Sequence, residues 1–151
     1  MAHLIVLAST SPFRRELLAR LQISFEVANP ETDESALHDE APAATARRLA
    51  EAKARAVAHR YPDALIIGSD QVAANGNERF GKPGTRANAA AQLRRMQGKD
   101  VVFHTGLCLL NTATDSAQVR CIDTHVGFRE LDDAEIESYL NEMPGVAESA
   151  V

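Results

Sequence analysis

Leu4-Ile5-Val6-Leu7-Ala8, followed by Ser9-Thr10-Ser11-Pro12-Phe13-Arg14-Arg15 and then Glu16-Leu17-Leu18, decides how the rest of the chain is read. The apolar run predicts a strand, the hydroxyl-rich segment a turn, and the residues from Pro12 a helix. Proline has no N–H to lose at the first helical position and its fixed φ suits that position, so Ser11 stands at the N-cap. Arg14 and Arg15 then fall in the first helical turn, where each cation opposes the positive end of the helix dipole by roughly 0.3–1 kcal/mol. That cost makes sense if a polyanion sits against the same helix end, and phosphate is the obvious one. The competing reading has both guanidinium groups in solvent, compensated by Glu16.

Composition narrows what surrounds this motif. With 151 residues, 45% of them hydrophobic and 25% charged, the chain predicts one soluble domain with one core. Sixteen basic against twenty-one acidic residues leave a net charge of −5, which disfavours a nucleic-acid partner. Any phosphate site must therefore be local. No apolar run approaches the roughly 20 residues that span a bilayer and no secretory leader is evident, so a cytoplasmic protein without a membrane partner is expected. Cys108 and Cys121 lack a metal-ligand spacing and read as free thiols, and the scattered histidines carry no assigned role.

Further along, the first helix is expected to reach about Leu21, with Phe13, Leu17 and Leu21 on one face. Ile23 to Ala28 alternates like a short strand, and an acidic loop from Asn29 to Pro42 follows it. Ala43 to about Arg60 is helical in pattern, with Ala46, Leu49, Ala50, Ala54 and Val57 on one stripe and Lys53 among them. The run from Ala64 to Ala74 predicts a central strand interrupted by Asp70. Thr85 caps a helix ending near Gly98, and Val101–Leu110 and Gln118–Phe128 flank a polar turn as an antiparallel pair. Leu131-Asp132-Asp133-Ala134-Glu135 resembles a capping box that opens a last short helix to about Asn141, closed by Pro144 and Gly145. Strands and helices alternate before a β-rich part, which gives an α/β fold with a mixed central sheet.

Asp70 is the strongest chemical candidate, because an ionised carboxylate inside an apolar strand is costly unless it meets a metal, a cation or a reacting water. Its bland alternative is to cap a helix or accept backbone N–H groups. Lys53, on the apolar stripe, either reaches over the edge of the core or snorkels to the surface. Lys82 is held between Gly81 and Pro83 on a loop that is no P-loop, and no GxGxxG follows a strand. Arg14, Arg15, Lys53 and Lys82 together suffice to neutralise a triphosphate. Asp70, helped by Asp33 or Glu34, suffices to hold a divalent metal or activate water.

Several blocks in order resemble one family. Leu-Ala-Ser-Thr-Ser-Pro-Phe-Arg-Arg at 7–15, Thr32-Asp33-Glu34, Glu51-Ala52-Lys53-Ala54, Gly68-Ser69-Asp70-Gln71-Val72, Gly81-Lys82-Pro83 and Thr124-x-Val126-x-Phe128-Arg129 are similar to the motifs of Maf-like nucleoside triphosphate pyrophosphatases, also described as septum-formation inhibitors. The resemblance implies a single Maf-like domain with an elongated mixed sheet of the inosine-triphosphatase kind. It also implies hydrolysis of a nucleoside triphosphate to monophosphate and pyrophosphate with a divalent metal, Mg or Mn. By it, Asp70 is the proton acceptor, Ser9, Arg14, Arg15, Lys53 and Lys82 bind phosphates, and Glu34 with Asp70 holds the metal. Phe13 and Gln71 resemble the branch acting on 7-methyl-GTP. An aromatic face attracts a positively charged methylated guanine by roughly 0.5–2 kcal/mol.

The family pattern continues beyond this chain into an Ala-Gly-Ser-x-x-x-Glu-Gly block, so the resemblance predicts a C-terminally shortened form. Such a form exposes an apolar sheet edge that a homodimer would partly cover. The alternative function is a non-catalytic nucleotide-binding or regulatory form linked to septum formation.

Overall fold

The computed structural model describes residues 3–81 and 83–142. In chain order the elements are β1 (Leu4–Ala8), α1 (Pro12–Ala19), β2 (Glu26–Ala28), α2 (Pro42–Ala56), β3 (Ala64–Asn75), β4 (Glu78–Phe80), α3 (Arg86–Met96), β5 (Asp100–Asn111), β6 (Ser116–Gly127) and α4 (Asp133–Glu142), with a 3-10 turn at Ala58–Arg60. The strands form one mixed sheet in the order β2-β1-β3-β5-β6, with β4 on β3. β1 runs parallel to β2 and β3, and β4 is antiparallel to β3. β5 is also antiparallel to β3, since Thr112 N–H donates to the Ala64 carbonyl and the Ser69 hydroxyl to the Gly106 carbonyl. The expected α/β class with a mixed sheet is the observed one. No described helix is long and apolar enough to cross a membrane.

Two compact units divide the chain: one runs through Asp70 and resumes over Thr105–Ile122, the other takes Gln71–His104 and continues from Asp123. In the first, the small residues of α2 pack on the sheet. Ala50, Ala54 and Val57 join Val6, Ala8, Ala28, Ala64, Ile66, Cys108 and Leu110 in one buried cluster. Two glycines set how closely helix and sheet approach. A Cβ at Gly68 would collide with the Ala50 carbonyl oxygen, and one at Gly106 with that of Ala46. In the second unit, Ala73, Phe80, Met96 and Val101 form one cluster, and Ala89 and Ala90 of α3 pack on Ile136 and Leu140 of α4 in another.

Local chemistry sets the helix starts as the sequence predicts. The Ser11 side chain accepts from the Arg14 N–H at 3.3 Å and that of Thr85 from the Asn88 N–H at 3.1 Å. Asp132 and Glu135 make the reciprocal capping box. Other expectations are corrected. β2 is confined to Glu26–Ala28, because the chain is still leaving a turn in which Gln22 takes a φ of 57°. α2 tightens into the 3-10 turn instead of running unbroken to Arg60. Phe13, Leu17 and Leu21 are exposed at 63%, 58% and 67%, so the stripe they form is not a core face. α1 is rotated to turn Leu18 partly inward, and Arg14, four residues earlier on the same face, goes with it. Pro144 and Gly145 lie outside the described residues.

Candidate active site

The site is placed by the order of the parallel strands. From β1 the chain passes through α1 to β2 on one side, and later returns to β3 on the other, which makes the end of β1 a switch point where open α/β sheets hold ligands. Ala8 pairs with Gly68, so Ser9, just past β1, and Asp70, two residues past Gly68, emerge at the same end. Ser9 is buried, and its hydroxyl accepts the Ser11 N–H at 3.0 Å, which fixes the turn that opens α1 at this point.

Lys53 and Asp70 are 6% and 7% exposed, and Lys53 Nζ donates to Asp70 Oδ1 at 3.0 Å. The same ammonium meets Glu34 Oε1 at 2.5 Å. The lysine is therefore no snorkelling surface residue, and its ammonium is where the Asp70 carboxylate finds a partner. Burial pushes the Asp70 carboxyl up from its ordinary value, opposed by the Lys53 and Arg14 cations and reinforced by the Glu34 charge. Of the two acidic-loop candidates it is Glu34 that reaches Lys53, while Asp33 turns back to accept the Ser35 N–H at 2.9 Å. A buried carboxylate with a raised pKa beside a cation can take a proton from water, and the cation can hold an anionic group beside it.

Glu34 and Asp70 direct two carboxylates at the Lys53 ammonium, and their oxygens are hard donors of the kind Mg²⁺ or Mn²⁺ takes. Removing the cation from that point should be costly. Lys53→Met is expected to destabilise the fold by about 3 kcal/mol or more at pH 8, as when one partner of a buried pair is deleted. Without Lys53 the Asp70 carboxyl is pushed higher still. A carboxyl whose folded pKa exceeds its unfolded one binds its proton more tightly when folded, so the deficit shrinks as pH falls. Urea unfolding at pH 8 and pH 5 checks this, and an equal loss at both would count against the pair.

The remaining predicted residues separate. Arg14 is half-buried and its charge acts on Asp70. Arg15 lines a shallow depression of about 580 Å³ with Phe25, Glu26, Val27 and Tyr61. Glu16, read as compensating these arginines, pairs with Arg20 at 3.3 Å instead. Phe13 is exposed beside Arg14, and Gln71 is exposed on β3 immediately after Asp70, where the pleat turns it to the opposite face. Lys82 lies outside the described residues. The loop around it is held from α3: Gln92 Nε2 donates to the Gly81 carbonyl at 2.7 Å and Asn88 Nδ2 to the Pro83 carbonyl at 3.0 Å.

Sequence reasoning missed Arg48 and Glu40, which anchor the loop carrying Glu34, and the role of Gly68 and Gly106. Glycines inside an apolar strand are a signal of close backbone approach. An arginine beside the apolar stripe of α2, following an acidic loop, is the only hint of the other pair.

The family model described as "Maf-like protein" matches residues 4–150. The chain is 54% identical over 136 residues to a protein of Cupriavidus metallidurans named 7-methyl-GTP pyrophosphatase, covering 90% of this chain and 68% of that one. It is 57% identical to the protein of the same name from Aromatoleum aromaticum, covering 91% and 71%. The Staphylococcus aureus Ham1 protein shares the fold, with a TM-score of 0.55 at 15% identity over 82% of this chain and 70% of that one.

Proposed function

Because this chain belongs to the Maf-like protein family, we propose that it hydrolyses 7-methyl-GTP to the monophosphate and pyrophosphate at Asp70. It is a nucleoside triphosphate pyrophosphatase, in keeping with relatives of that activity at more than half identity. The observation that carries the reading is the buried Asp70 carboxylate bonded to Lys53, whose ammonium also meets Glu34. The net charge of −5 and the local character of the cations fit a free nucleotide as substrate rather than a nucleic acid or membrane, in a cytoplasmic setting.

Asp70 accepts a proton from a water molecule while the oxygen of that water bonds the α-phosphorus. The bond from that phosphorus to the bridging oxygen breaks, and pyrophosphate leaves with the electron pair. Lys53 and Arg14 hold negative phosphate oxygens and stabilise the charge that builds up during attack, with Ser9 and Lys82 binding the rest of the triphosphate. Burial keeps competing water from the Asp70–Lys53 pair and raises the basicity of the carboxylate. Glu34 and Asp70 would hold Mg²⁺ or Mn²⁺, which supplies charge neutralisation of the phosphates when bound.

Phe13 offers its exposed ring to the methylated base and Gln71 contributes to base selection. A panel of 7-methyl-GTP, GTP, dTTP and UTP with Mg²⁺ or Mn²⁺, read by pyrophosphate release, is expected to single out 7-methyl-GTP. Phe13→Ala should lower the 7-methyl-GTP over GTP preference in kcat/KM by roughly 2- to 30-fold, the equivalent of a cation–π contact. Equal rates on GTP and 7-methyl-GTP by the unaltered chain would remove the substrate assignment. Binding without release would favour a non-catalytic nucleotide-binding protein.

A further inference from the structure

Glu34 sits on a loop without regular secondary structure, yet its carboxylate is directed at a buried lysine. Something must hold that loop, and the hydrogen bonds name it. Arg48, on α2, donates through Nε to Glu40 Oε2 at 2.7 Å and through Nη2 to Glu40 Oε1 at 3.0 Å, a bidentate pair. The same Nη2 donates to the Ser35 carbonyl at 2.9 Å, one residue beyond Glu34. Glu40 in turn accepts the Thr45 hydroxyl at 2.6 Å and the Leu37 N–H at 3.2 Å. The loop is thus tied at Ser35, Leu37 and Glu40 to the helix that carries Lys53, five residues along from Arg48.

We propose that Arg48 and Glu40 are positioning residues that hold Glu34 over Lys53 and Asp70, acting on turnover only through Glu34. This rests on the reading of Glu34 and Asp70 as parts of the active site. Planar guanidinium geometry makes the arrangement specific, because a lysine at 48 keeps the charge and loses both the fork to Glu40 and the reach to the Ser35 carbonyl. The Arg48 and Thr45 bonds hold the Glu40 carboxyl down at about 2, so the clamp stays ionised at any pH used for assay. A group lowered in this way contributes its stabilisation above the ordinary carboxylate range and loses it only as pH falls towards that value.

Arg48→Lys and Glu40→Gln test this, each in the unaltered chain and in a Glu34→Gln background. In the unaltered background, Arg48→Lys is expected to lower kcat by roughly 10-fold and to raise the Mg²⁺ concentration for half-maximal rate, as loss of an outer partner of an active-site carboxylate does. In the Glu34→Gln background the same change should cost less than about 2-fold, because residues that act through one another are non-additive. Amide hydrogen exchange over residues 33–37 should become faster in Arg48→Lys and Glu40→Gln, with exchange in β1 and β3 unchanged. Equal losses in both backgrounds would show a general structural role and overturn the proposal, as would faster exchange with full activity. Absence of pyrophosphate release from the unaltered chain would instead reject the function, and unchanged exchange at 33–37 would then still reject the clamp.

Discussion

Asp70→Asn is expected to reduce kcat for pyrophosphate release by 10²- to 10⁴-fold, the usual contribution of a positioned general base. The protein should nevertheless remain folded, with a thermal midpoint at pH 8 equal to or above that of the unaltered chain. Burial raises the Asp70 carboxyl, which means that the fold disfavours the ionised form. A carboxyl with a raised folded pKa adds stability below its unfolded pKa and loses it as pH climbs through the folded one. An amide of the same shape removes the charge and keeps an acceptor for Lys53, which also retains Glu34. Steady-state kinetics and a thermal melt on the same preparation check both halves. Retention of more than about a tenth of the rate would reject Asp70 as the base.

Gly106→Ala is expected to destabilise the protein by about 3 kcal/mol or more, at or above the upper end for overpacking. The obstruction is backbone: the new Cβ meets the carbonyl group of Ala46 and the N of Arg47, neither of which can swing aside. α2 must withdraw, and α2 carries Lys53. Displacement of about 1 Å at a catalytic group can cost 10²-fold in rate, so the folded fraction of the variant should also be poorly active. Gly68→Ala should behave alike, against Ala50 and Ala54. Urea unfolding gives the stability, and a midpoint within error of the unaltered chain would mean that helix and sheet are not in this contact.

Features governed by neighbours in sequence were legible. Ser11, Pro12, Thr85 and the Asp132–Glu135 box state their helix starts through local hydrogen bonding, and the stripe from Ala46 to Val57 states the buried face of α2 through its period. Asp70 and Lys53 each stood out singly, as charge in apolar surroundings. Their bond, across 17 positions of sequence, depends on how closely α2 lies on β3 and β5, and that is decided by Gly68 and Gly106. Periodicity fixed the angle between Phe13 and Leu17 but not which side of α1 docks. That side is set by the cap at Ser11 and by Leu18, which turns partly inward. Between Asp33 and Glu34 the sequence offered no choice, because it is the Ser35 N–H that turns Asp33 away.

Hydrolysis of 7-methyl-GTP in ¹⁸O-labelled water, followed by mass analysis of both products, tests the account most directly. Attack of water on the α-phosphorus predicts one labelled oxygen in the 7-methyl-GMP, unlabelled pyrophosphate, and formation of both slowed by about 10²-fold or more in Asp70→Asn. Label in pyrophosphate or orthophosphate, or labelled monophosphate formed by Asp70→Asn at more than about a tenth of the unaltered rate, would contradict it.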